Sequence, residues 1–263
     1  MTDWLATCRD AVGDVRGVLE ALPGRVDREP VVGAGEGGDE TTAIDHAAEQ
    51  AILARFRHLG VTIISEEVGR IDGGKTLVVV DPIDGSLNAK RGIPFFSLSI
   101  AVAEGDRMDD VFFGYVYDFG TGEEWTARKG KGAFLDGRPL GEERPKDTIE
   151  ILSFEATLTS LVADHAAGVA GLAQRLRIMG SLAITLCHLA AGRVDAVCSL
   201  KPARSVDIAG AQLLVREVGL AIDLPEAPPF AEAPLDLEGR SRVVAAGTPE
   251  LCNRLAQAIG AAP

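Results

Sequence analysis

Residues 77–89 read LVVVDPIDGSLNA, so an apolar run passes directly into Asp81 and Asp84. Carboxylates that close repel each other unless something positive sits between them. Residues two apart on a strand share a face, whereas acids three apart reach one point only if the backbone turns, and Pro82 and Gly85 supply the turn. Backbone N–H groups from Gly85 and Ser86 onward would then open a helix, an arrangement that holds a phosphate oxygen. Hard oxygen ligands beside such N–H groups suit Mg²⁺, which binds a few carboxylates together with substrate phosphate. Taken alone, the motif is equally well accounted for as a solvated acidic turn.

Two further acid sites shift that balance. Glu66 and Glu67 follow the apolar run VTIIS, and Asp207 stands where the helical pattern SVDIAGAQLLVREVG begins. Singly, each has a plain structural reading: surface acids after a strand, or a first-turn acid that balances the helix dipole. Three strand-end or helix-start acid sites in one chain point instead to a shared centre.

The elements that must position them alternate between helix and strand. Residues 3–22 carry helical spacing up to Pro23-Gly24, and 41–60 open on a Thr cap and close on Gly60. VTIIS and TLVVVD read as short strands, and residues 95–136 as an antiparallel meander with Gly and Asp turns. From residue 149 the pattern gives a strand (IEILSF), a helix over 157–173, a strand (RLRIMG) and a buried helix ending at Gly192. A strand (VDAVCSL), the Asp207 helix, a Pro-rich loop, a strand (RVVAAG) and a final helix complete a mixed helix-and-sheet chain.

Composition bounds the partners. The 263 residues suffice for a sizeable core, and a net charge of −13 disfavours nucleic acid and anionic membrane surfaces. The amino terminus lacks the basic start of a signal peptide, and no apolar run approaches a membrane span. Cys8, Cys187, Cys198 and Cys252 are scattered, as buried thiols in a reducing compartment would be. The expectation is a cytoplasmic protein.

The segments SEE, DPIDGS and VDIAGAQLLVREVG, in this order and spacing, resemble the inositol monophosphatase family of Mg²⁺-dependent, lithium-sensitive sugar phosphatases. DPIDGSLNAKRGIPFFSLSIAVA and VGAGEGGDETTAID are most similar to its archaeal-type fructose-1,6-bisphosphatase branch. The resemblance implies an α+β fold, a layered αβαβα sandwich, with an N-terminal subdomain over 1–147 and a C-terminal one over 148–263. It implies one Mg²⁺ on Glu66, Asp81 and the Ile83 carbonyl, a second on Asp81, Asp84 and Asp207, and a weaker third near Asp45 and Glu66. Water oriented by Glu66 and the Ser86 hydroxyl would attack phosphorus directly, without a phosphoenzyme. The substrate is then a small phosphate ester, inositol 1-phosphate or fructose 1,6-bisphosphate, and the chain a homodimer. Gly85 and Ser86 would hold the reacting phosphate, and Arg177 and Ser181 match a segment that lines the family's pocket.

The chain departs from the family at four points. Ser86 replaces a Thr, Val206 replaces a Trp, and the glycine-rich loop lacks a Lys. Leu200 stands where animal members carry an inositol-reading Glu, and Lys201 and Arg204 follow it. Those cations suit a second phosphate, since a guanidinium fork matches phosphate geometry. Related alternatives are a 3′-phosphonucleotide or histidinol-phosphate phosphatase, or a non-catalytic sugar-phosphate binder. An aspartyl-phosphate mechanism requires acids two apart rather than three. GAGEGG at 33–38 formally fits a dinucleotide fingerprint, but Glu36, Asp39 and Glu40 would oppose a pyrophosphate.

Overall fold

The computed structural model describes residues 2–38, 40–142, 146–155 and 158–260; Asp39 and Thr157, which enter the readings above, lie outside them. The chain opens with α1 (Trp4–Ala21), α2 (Arg25–Arg28), β1 (Val31–Ala34), β2 (Glu40–Thr42) and α3 (Ala43–Phe56). Next come β3 (Thr62–Ser65), β4 (Gly69–Ile71), β5 (Leu77–Asp84), α4 (Ser86–Arg91), β6 (Ser97–Ala103), β7 (Val111–Asp118), β8 (Glu124–Arg128), β9 (Gly132–Leu135) and β10 (Arg138–Pro139). The remainder is β11 (Ile149–Glu155), α5 (Thr159–Ala166), β12 (Ala173–Arg177), α6 (Leu182–Ala190), β13 (Ala196–Ser199), α7 (Ser205–Glu217), β14 (Ala221–Asp223), β15 (Val244–Ala246) and α8 (Pro249–Ala258).

The layers follow from which residues each strand turns to which face. One sheet has the order β10-β9-β8-β7-β6-β5-β3-β4 and the other β12-β11-β13-β15-β14. Val78 and Val80 of β5 pack with Cys8 and Val15 of α1 and with Ile52 and Phe56 of α3. Val79, between them, faces the opposite way, toward Leu186 of α6 and Leu213 and Leu214 of α7. A strand buried on both faces reads as a continuous apolar run, which is why LVVV shows no alternation. The α6–α7 layer also meets Val197 and Ala245 of the second sheet, whose far face packs Cys198 and Val244 against Leu251 and Leu255 of α8. The result is the expected αβαβα sandwich.

Three elements differ from the sequence expectation. The helix expected over 157–173 stops at Ala166, and Gly171, at φ +80°, turns the chain into β12. The helix over 41–60 begins at Ala43 behind its Thr42 cap and ends at Phe56, with a 3₁₀ turn to Gly60. β5 continues through the acids themselves: Asp81 pairs with Ser99 and Asp84 with Ser97 of β6, with an irregularity between them. Pro82, which has no N–H to give the ladder, lies in that irregularity. GAGEGG lies in the β1–β2 hairpin, a two-stranded sheet without the βαβ unit that a dinucleotide site needs.

Candidate active site

β3 and β5 run parallel with Ser65 opposite Val80, so the next residues, Glu66 and Asp81, stand side by side at the carboxyl end of β3 and its neighbour. α7 is wedged between the two sheets and presents Asp207 in its first turn. One carboxylate oxygen from each of Glu66, Asp81 and Asp207 lies within 4.8 Å of the others. That is close to the roughly 4 Å that opposite ligands span across one Mg²⁺ at ~2.0–2.1 Å bonds. All three donors are hard oxygens, the ligand type that suits a divalent cation such as Mg²⁺.

Burial dominates the electrostatics. Asp81 is driven well above the usual carboxylate range by desolvation first, then by the charges of Glu66, Asp84 and Asp207. Desolvation also raises Glu66 to about 7, against the pull of Arg204. Asp84 is raised to about 7, again by burial, although the Ser181 hydroxyl and the Ala183 N–H oppose the shift. A cation among these acids would reverse the balance, because opposite charge within ~4–6 Å favours the ionised form.

Asp84 stands somewhat apart from the triad. Its Oδ2 accepts from Ser181 Oγ at 2.6 Å and Ala183 N at 2.8 Å, which ties the end of β5 to the start of α6. Ser181 is thus brought to the site. Ile83 N donates to Asp81 Oδ1 at 3.0 Å, and Ser86 Oγ donates to the Ile83 carbonyl at 2.9 Å, so the turn is held from both sides. Gly85 sits at φ +92°, and a Cβ there would lie 3.0 Å from Gly180 O and 3.1 Å from Phe95 O. Only glycine meets both demands.

Asp45, in the first turn of α3, accepts from the Thr42 hydroxyl and lies 3.9 Å from Lys90 Nζ. With Glu66, Glu67, Asp81 and Ser86 it lines a small hollow behind the triad. On the other side opens a cleft of about 380 Å³, within the usual range for small-molecule sites. Gly37, Asp84, Glu155, Lys201, Arg204, Asp207 and Arg240 are among its lining residues.

Two expected substrate contacts need correction. Arg177 is not brought into the cleft: it ends β12, an edge strand, and its exposed guanidinium donates to its neighbour's carbonyl, Leu176 O, at 2.8 Å. Arg204 does line the cleft, but its fork is already engaged, with Glu66 Oε1 at 2.6 Å and Asp207 Oδ1 at 2.9 Å. Leu200 is buried in the core beneath α8, so it offers the cleft no polar group.

Sequence reasoning also missed two cleft residues. Glu155 ends β11 and accepts from Ser153 Oγ (2.8 Å), Thr185 Oγ1 (3.0 Å), Met179 N (3.3 Å) and Gly180 N (2.8 Å). It carries the same strand-end signature as Glu66 in ILSFE. Arg240 comes from the loop before β15 and donates to Gly37 O at 2.8 Å, and no spacing in the sequence marks it.

Fold and site together define a layered α+β protein whose carboxylate cluster borders a cleft with basic residues. The chain belongs to the inositol monophosphatase family, whose model matches residues 7–262. It is 34% identical over 230 residues to a fructose-1,6-bisphosphatase/inositol-1-monophosphatase of Thermococcus kodakarensis, covering 87% of this chain and 86% of that one. The protein of the same name from Archaeoglobus fulgidus is 32% identical over 247 residues, 93% of each chain. A solved inositol monophosphatase–fructose 1,6-bisphosphatase superposes with a TM-score of 0.85 at 30% identity, over 98% of this chain and 100% of that one.

Proposed function

We propose that this protein is a Mg²⁺-dependent phosphatase that hydrolyses a phosphomonoester of a sugar or cyclitol by direct attack of water. The observation that carries the reading is the convergence of Glu66, Asp81 and Asp207 within 4.8 Å beside a cleft that holds Lys201 and Arg240. Two to three Mg²⁺ ions, when bound, would supply Lewis acidity toward water and the phosphoryl oxygens. Glu66, Asp81, Asp207 and the Ile83 carbonyl are the residues that would hold them, with Asp84 completing the set and Asp45 behind it. Glu66, ionised once a cation sits among the acids, would orient the attacking water from the end of β3. Ser86 orients that water, and the Gly85–Ser86 turn seats the reacting phosphate.

Substrate choice follows from the rim. Leu200 is buried and gives the cleft no acid to read inositol hydroxyls, while Lys201 and Arg240 line it and offer charge to a distal phosphate. The preferred substrate is then a sugar bisphosphate such as fructose 1,6-bisphosphate over inositol 1-phosphate. Phosphate release from a panel of esters in Mg²⁺ tests this: a preference for inositol 1-phosphate, unaltered by Arg240→Ala, would count against it.

The same proposal places the metal cleft between subdomains 1–147 and 148–263. A homodimer is supported by exposed Leu158, Leu176 and Ile178. A cytoplasmic location is supported by four buried, unpaired cysteines; among the described residues no helix is long and apolar enough to cross a membrane.

A further inference from the structure

We infer that Arg204 competes with the divalent cation for its carboxylates and thereby sets how tightly the site binds metal. The inference rests on the proposed cation-binding role of the acid cluster. Glu66 and Asp207 are two of the three acids that converge there, and the Arg204 fork grips both, Glu66 Oε1 at 2.6 Å and Asp207 Oδ1 at 2.9 Å. The other oxygen of Asp207 accepts from the Arg204 backbone N–H at 2.6 Å and from its Nε at 3.3 Å. An ion that takes these oxygens must therefore displace a guanidinium.

Local structure builds this contact rather than leaving it to chance. Arg204 is the residue that caps α7, so its side chain starts three residues before Asp207, within reach of the first helical turn. The side chain is only 11% exposed. Gly37 makes room for it: a Cβ at that position would lie 2.5 Å from the Arg204 guanidinium and 3.0 Å from Glu66 O. Gly37 is itself fixed by its N–H to Glu66 O at 2.9 Å and by Arg240 on its carbonyl. A planar fork spans two carboxylates at once, which a lysine ammonium does less well.

A competitor and a structural clamp make different demands. A competitor stabilises the fold only while it holds the acids, and its loss strengthens cation binding; a clamp stabilises the fold at any Mg²⁺ concentration. Full-length, chelator-treated wild type, Arg204→Met and Arg204→Lys are titrated with MgCl₂ by calorimetry, and each is melted with and without saturating MgCl₂. The Met variant should bind Mg²⁺ at least about tenfold more tightly, since a buried like charge is removed from beside the ion. It should melt below wild type in chelator and level with it in saturating Mg²⁺. The Lys variant, which keeps charge without the fork, should fall between and gives the readout if the Met variant does not fold. Equal or weaker Mg²⁺ binding by the variants, or a melting deficit that persists in saturating Mg²⁺, would overturn the inference. Absence of Mg²⁺ binding in wild type as well would overturn the cation reading itself, and the inference with it.

Discussion

Glu155→Gln is a sharp perturbation because it preserves volume and alters only hydrogen bonding. In the wild type, four donors converge on two carboxylate oxygens: Ser153 Oγ, Thr185 Oγ1 and Met179 N on Oε1, and Gly180 N on Oε2. A glutamine offers one acceptor oxygen. In its better orientation that oxygen keeps the three donors on Oε1, and its NH₂ confronts the Gly180 N–H. The loss is at least one charge-assisted hydrogen bond, about 1.5–3 kcal/mol. For a chain of this size that corresponds to roughly 3–12 °C in melting temperature, at ~2–4 °C per kcal/mol.

Function should suffer by the same route. The turn that Glu155 holds carries Gly180 and Ser181, and the Ser181 hydroxyl fixes Asp84 at 2.6 Å. Loosening it should raise the Mg²⁺ concentration needed for half-maximal activity more than it raises KM for the ester. Calorimetric melting and Mg²⁺ activation curves measure the two effects. A variant that melts within a degree of wild type with an unchanged Mg²⁺ requirement would refute the claim that Glu155 positions the site.

Two further outcomes are expected. Gly85→Ala should lower the melting temperature by several degrees and depress turnover, because φ +92° costs an L-residue ~1–2 kcal/mol and the new Cβ meets backbone at 3.0 and 3.1 Å; thermal melts and steady-state kinetics check this. In chelator, stability should decline between about pH 4 and 7. Folded Glu66 and Asp84 titrate near 7, above their unfolded values of about 4, so their contribution is full below pH ~4 and lost as pH rises through about 7. Saturating Mg²⁺ should flatten that slope, and a melting temperature that rises over the same range in chelator would contradict the burial argument.

How much of this was legible depended on whether a residue's role is local. The apolar run into Asp81 and Asp84 announced a buried strand and a turn, and Gly85 is where the turn demands it. Glu66 and Asp207 stood out because they adjoin the ends of regular elements, and the sheet order then brings them together. Roles set by rotamer and by distant packing were hidden. Arg204 was expected to face an incoming phosphate, yet its helix-capping position turns the fork inward onto Asp207 and Glu66. Arg177 sits in a segment similar to the family's pocket lining, yet its side chain leaves an edge strand outward. Glu155 finds its donors as far away as Thr185, and Arg240 meets Gly37 from the opposite end of the chain.

The central claim is that the strand-end carboxylates form a cation site that hydrolyses a phosphate ester. Asp81 lies at its middle, buried and within reach of both Glu66 and Asp207. Asp81→Asn removes the charge at nearly constant volume and relieves repulsion among the acids, so the fold should persist. The decisive measurement is phosphate release from fructose 1,6-bisphosphate by wild type and Asp81→Asn, each in Mg²⁺ and after chelation. Activity in wild type that vanishes on chelation, and falls by orders of magnitude in a folded Asp81→Asn, is the predicted result; chelator-resistant activity, or near-normal turnover in the variant, would contradict it.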